Sequence, residues 1–220
     1  MNENLKTKAY RIIKEKIITC EYYPNMYSNE EFLQKDLQLS RTPLRDALGR
    51  LEQEGFITIK PKKGMIVTDI TVEVINQLFE AKSLAEEYGI RTYGDTMDRA
   101  VLLDFRRRFE EEWDPENIKQ YKKRNELYKI YDVDFDFHMY ISNSTGNKYI
   151  GKLLEDIKNH DIRVRYYTGM IVEPNQYLSK GETENIIDSL LNRRIEDAIM
   201  YSKLHMATAK NASLMAWINK

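Results

Sequence analysis

The sequence predicts a mainly α protein in two parts: three short helices and a β-hairpin within residues 1–70, then an all-α bundle over residues 71–220. Three observations carry this. Apolar residues in the first fifty positions recur at helical spacing. Residues 56–68 alternate apolar and polar around a Lys62-Lys63-Gly64 tip, the pattern of a two-strand hairpin. From Thr71 onward no period-two stretch appears, and helical stripes follow one another.

The first helix is predicted from Leu5, Ala9, Ile12, Ile13 and Ile17, which fall on one face, and Pro24 lies in the break that follows. Ser28, with Glu31 three residues on, reads as a capping box opening a second helix with Phe32, Leu33 and Leu37 inward. Thr42 is the expected N-cap of the third, with Pro43 at the first helical position, where a missing N–H costs nothing. Leu44, Leu48 and Leu51 then face the core and leave Arg45, Gly49 and Arg50 outside, with Arg41 just before the helix. Gly55 is the natural stop.

Composition narrows the function. Charged residues are 31% of the chain and the formal net charge is -1, so a nucleic-acid surface has to be local. The single cysteine, Cys20, cannot form an intrachain disulfide, and no run of eighteen apolar residues occurs, which leads us to expect a reduced, cytoplasmic protein. Helix, helix, tight turn, helix and basic hairpin is the order of a winged helix-turn-helix. Its third helix is narrow enough for a major groove, where a guanidinium at Arg41 or Arg45 could take guanine O6 and N7 together, worth roughly 1–3 kcal/mol of discrimination. A solvated charged face is the other reading of the same residues.

The segment Leu39–Val67, "LSRTPLRDALGRLEQEGFITIKPKKGMIV", resembles the DNA-binding domain of the GntR family of bacterial regulators. The resemblance implies that Arg41, Thr42, Arg45 and Gly64 approach DNA, with Arg50 and Lys63 as further contacts. Gln38 stands where the family often has a turn glycine, and Glu31 where it often has a basic residue, so the turn is expected to form without a positive φ.

In the second part, stripes at Ile75, Leu78, Phe79 and Leu84 and at Val101, Leu102, Phe105 and Phe109 predict helices. Pro115, Ser144–Asn147, the Val172–Asn175 loop and Gly181 divide the rest, giving six or seven in all. Asp134 and His138 are four apart, so both leave one helical face with Cβ atoms about 5–6 Å apart, close enough to share a metal. A surface ion pair or a satisfied core histidine would give the same spacing.

Asp134, Phe137, His138, Gly146 and Asn147, and then Glu182, Ile186, Ala198 and His205, resemble the FCD ligand domain of the FadR subfamily. That resemblance implies a small carboxylate effector and a divalent cation (Zn, Ni or Mn) on Asp134, His138 and His205; a metal-free pocket that holds the effector through hydrogen bonds is the other reading of these residues. Thr183 replaces a family histidine, with Glu182 or Glu184 as substitute ligands, and Lys82 stands where an arginine commonly faces the pocket, with Glu86 in its matching place. Lys82, Arg163, Arg165 and Thr183 are the effector candidates. The expected protein is a non-enzymatic, effector-responsive regulator, a repressor that binds near-palindromic operator DNA as a homodimer. A metal-dependent hydrolase and a protein-interaction scaffold are the rivals.

Overall fold

The computed structural model describes residues 4–61, 63–124, 128–168 and 177–219, so Lys62 and the Val172–Asn175 loop lie outside the described residues. The chain forms two compact units: residues 1–71 with 162–167, and residues 72–161 with 168–220.

In the first unit α1 (Leu5–Ile18) packs on α3 (Arg41–Gln53), α2 (Glu30–Leu37) joins α3, and the sheet follows. The core is Ala9, Ile13 and Ile17 of α1, Leu33 of α2, and Leu44, Leu48 and Leu51 of α3, closed by Phe56, Met65 and Val67. Leu5 and Phe32 are exposed instead of inward, because short helices present a narrower buried stripe than their apolar letters suggest. The sheet has three antiparallel strands in the order β1 (Tyr27–Ser28), β3 (Gly64–Val67), β2 (Ile57–Lys60). The hairpin β2–β3 matches the sequence pattern, whereas β1 is two residues long and leaves no pattern to read.

Caps differ from expectation. Asn29, not Ser28, caps α2 by accepting from Phe32 N at 2.7 Å, because Ser28 is buried in β1. Ser40, not Thr42, precedes α3, so Pro43 is the third helical residue instead of the first, still within the first turn, and it is buried. The turn between α2 and α3 does use the left-handed region: Gln38 has φ 54° and ψ 41°. A non-glycine there is held by its surroundings at an energetic cost. Gly55 ends the α3 region with φ 78°, as a helix stop requires.

The second unit is helical: α4 (Val72–Tyr93), a 3₁₀ turn, α5 (Arg99–Glu112), α6 (Pro115–Arg124), α7 (Tyr128–Asn143), α8 (Lys148–Tyr167), α9 (Tyr177–Leu191) and α10 (Ile195–Ile218). α10 packs on α4 and α9, α4 on α7, and α5 on α7 and α9, around Phe105, Phe109 and Phe137. The punctuation at Pro115 and at Gly146, with φ 60°, falls where helices begin and end. Gly181 does not divide anything; it lies inside α9, since a helical glycine costs only about 1 kcal/mol. The break between α9 and α10 falls at Arg193, φ 55°, with neither Gly nor Pro to announce it.

Helix α4 buries Ile75 and Phe79 as expected but departs from the stripe further along. Leu84 is 65% exposed, while Lys82 and Glu86 are 5% and 1% exposed. Gly89 explains how this face closes on α7, for a Cβ there would stand 2.6 Å from the carbonyl oxygen of Ile141. The close approach brings Glu86, one turn earlier on α4, against His138, about one turn earlier on α7.

Candidate functional site

Two clusters, one in each unit, hold the residues singled out above. In the first unit Arg41, Thr42 and Arg45 are exposed in the first turns of α3, and Lys63 is exposed at the wing tip. Arg41, Arg45 and Lys63 border one open cleft together with Asn29, Glu30 and Glu31. Arg45 donates from Nε and Nη2 to the two carboxylate oxygens of Glu30, at 3.0 and 3.2 Å. Glu30 is a partner that helix-by-helix reading did not find, because the pair spans two elements.

Arg50 stacks its guanidinium 3.7 Å from the ring centroid of Tyr10, so it lies over α1. Gly64 is buried at φ 130°, and any Cβ would run into the Ser28 carbonyl. The absence of a side chain at Gly64 therefore has a packing reason inside the sheet. The wing itself is tied down by Tyr27, whose hydroxyl donates to the Lys63 carbonyl at 2.6 Å.

In the second unit, α7 and α10 bring Asp134, His138 and His205 together, with one donor atom from each all within 4.8 Å of one another. His138 Nε2 is 2.9 Å from His205 Nε2 and 3.5 Å from Asp134 Oδ1, and His205 Nε2 is 3.7 Å from the same oxygen. Each ring is held from behind: His138 Nδ1 by Glu86, which also accepts from Ser202 Oγ at 2.6 Å, and His205 Nδ1 by Thr183 Oγ1 at 3.3 Å. Burial opposes charge on His138, but the Glu86 and Asp134 carboxylates outweigh it and raise its pKa to about 9. Burial and the adjacent His138 cation lower His205 to about 4. A proton on His138 Nε2 thus points at the lone pair of His205.

One carboxylate and two imidazoles facing a common point suit Zn, Ni or Mn and leave further positions open, and the Glu86 and Thr183 contacts are of the kind that orient ligating imidazoles. The donor set fits a divalent cation. Thr183 Oγ1 and Glu182 Oε2 lie on the Nδ1 side of His205, at 3.3 and 3.8 Å, away from the Nε2 that faces His138.

Lys82 borders a cavity of about 10 Å³ with Glu86, Phe135, His138, Ser142 and Leu154, and its Nζ is 3.3 Å from Asp161 Oδ1. Arg163 and Arg165 fall in the segment that groups with the first unit. Arg163 is expected at an effector, but its buried guanidinium is spent on Thr68, donating to the hydroxyl at 3.1 Å and to the carbonyl. Asp161 left no signal in the sequence, being far from any motif spacing. No helix among the described residues is long and apolar enough to cross a membrane.

Comparison with known proteins agrees with this architecture. Residues 5–67 match the gntR family of bacterial regulatory proteins and residues 77–208 match the FCD domain. The chain is similar to the Nta operon transcriptional regulator of Aminobacter aminovorans, 25% identical with 86% of this chain and 85% of that one covered. It is likewise 25% identical to the HTH-type transcriptional repressor RspR of Escherichia coli, over 87% of this chain and 81% of that one. Its fold resembles a GntR transcriptional regulator from Rhodococcus, with TM-score 0.74, 18% identity, and 96% and 98% of the two chains covered. Escherichia coli McbR/YncC is also similar, with TM-score 0.73, 13% identity, and 98% and 100% covered. A winged helix with exposed arginines on α3, followed by an FCD domain that spans more than half of the sequence, makes this chain a member of the GntR family of transcriptional regulators.

Proposed function

We propose that the protein is an effector-responsive repressor that binds a near-palindromic operator as a homodimer. The observation that carries this reading is the shared cleft: Arg41 and Arg45 of α3 and Lys63 of the wing border one open surface. Leucines 44, 48 and 51 fix α3 from behind, so its outer edge is presented as a rigid rod. Arg41 and Arg45 read base edges, Thr42 and Lys63 contact the backbone, and Arg50 supports α3 through Tyr10. A relative named as a transcriptional repressor supports the direction of control.

Asp134, His138 and His205 would hold a divalent cation, which supplies positive charge for an anionic effector. Glu86 and Thr183 orient the two imidazoles, and Lys82 adds a second cation at the adjoining cavity. An effector changes operator affinity only by the difference in its affinity for the two arrangements of the dimer.

Selection of DNA sequences from a random pool by the purified chain, followed by binding at several salt concentrations, tests this. The expected result is an inverted repeat with half-sites about one helical turn apart and affinity falling steeply with salt. A chain that selects no sequence, or that turns over substrate without binding DNA, sinks it.

A further inference from the structure

Lys82 and Asp161 form an ion pair at 3.3 Å in which the side chains are only 6% and 4% exposed. Taking two charges out of water costs several kcal/mol per ion, so such a pair is a poor source of stability. Its Lys82 stands at the wall of a cavity that adjoins the buried polar cluster, and Leu154 lines the same cavity. Leu154 and Asp161 are seven apart on α8 and therefore share a helical face. The cavity, about 10 Å³, has room for about one water molecule. No metabolite fits beside Lys82 in this arrangement, and the only anionic group at its ammonium among the described ion pairs belongs to the chain itself.

We propose that Asp161 occupies, as an internal stand-in, the anion position at Lys82, and that the effector carries a carboxylate or phosphate that takes its place. The inference rests on reading the helical unit as an effector domain, and it names both the group recognised and the residue displaced. A tethered carboxylate competes at high effective concentration, so Asp161 sets the threshold at which an external anion wins. The exchange keeps the Lys82 ammonium paired throughout, while the Asp161 carboxylate gives up this partner and has to reach water or another donor as it leaves.

Succinate and inorganic phosphate, titrated calorimetrically into the full chain at ionic strength fixed with sodium chloride, test the proposal. Asp161→Asn is expected to bind at least one of them about tenfold or more tighter than wild type, with Lys82→Met abolishing binding in both backgrounds. Equal affinities, no binding to Asp161→Asn, or binding that survives Lys82→Met overturns it. Should Asp161→Asn not fold, the structure of wild type in concentrated succinate decides: succinate on Lys82 with Asp161 moved away supports the proposal, and Asp161 still on Lys82 overturns it. None of these readouts needs DNA. A chain that shows this pattern but binds no operator sinks the regulator reading alone, and one that binds operator without the pattern sinks only the role of Asp161.

Discussion

Arg45 reaches from α3 to Glu30 at the start of α2, placing Nε 3.0 Å from one carboxylate oxygen and Nη2 3.2 Å from the other. The pair uses one edge of the guanidinium and leaves Nη1 and the opposite edge directed elsewhere. Arg45 is 63% exposed, so the ion pair adds little stability and acts mainly by fixing direction. Arg45→Ala is expected to lower discrimination between operator and random DNA by about 1–3 kcal/mol while leaving the circular dichroism unchanged. Retained specificity in a competition assay removes Arg45 from base readout.

His138→Ala takes away one of three donors and the ring on which His205 leans. After equilibration with Zn, Ni or Mn and desalting, wild type is expected to keep close to one ion per chain and the variant far less, as elemental analysis would measure. Wild type that emerges with no metal shows that the Asp134/His138/His205 set is not a metal centre.

Gly64→Ala pushes a methyl group at the Ser28 carbonyl and forces an L residue to φ 130°. Strand β1 has to move off β3, and a loss of about 1–3 kcal/mol is expected in chemical unfolding. An unchanged midpoint would mean the wing edge yields without strain.

Gln38→Gly works in the opposite direction. Gln38 holds φ 54° at the turn between α2 and α3, a conformation that glycine adopts without a Cβ penalty. Stability is expected to rise by up to about 1 kcal/mol, read from the same unfolding curves, and a fall would show that the Gln38 side chain contributes more than its backbone costs.

Tyr22 donates to Asp36 at 2.6 Å, and this hydrogen bond, opposed by burial and aided by Lys16, lowers the Asp36 pKa below its usual value. A depressed carboxylate stabilises the fold fully above its unfolded pKa, and that contribution is lost as pH falls through the folded value. Asp36→Asn is therefore expected to cost about 1 kcal/mol at pH 7 and to converge with wild type as acid protonates Asp36. A difference that stays constant down to the lowest pH would show that charge on Asp36 is irrelevant.

Much of this was legible in the letters because it is periodic. Leu44, Leu48 and Leu51 set the inner face of α3 and thereby its outer one, and alternation marked β2 and β3. Asp134 and His138 share a face of one helix, so their pairing is local. His205 joined them only through family resemblance, since no spacing links α7 to α10. What escaped is what depends on contacts between elements: Glu30 against Arg45, Asp161 against Lys82, and Ser202 against Glu86. Helix α4 shows why, for an apolar stripe through Leu84 is the simplest reading of its residues, yet Leu84 is exposed while Lys82 and Glu86 are buried, a placement that family resemblance pointed to and periodicity did not.

The tightness of the space beside Lys82 has a kinetic consequence. With room for about one water molecule, it admits a metabolite only in molecules that have already opened, so the observed binding rate should level off as ligand concentration rises. The plateau would report how fast the closed chain opens, a clock that runs at the same speed for every compound the protein senses.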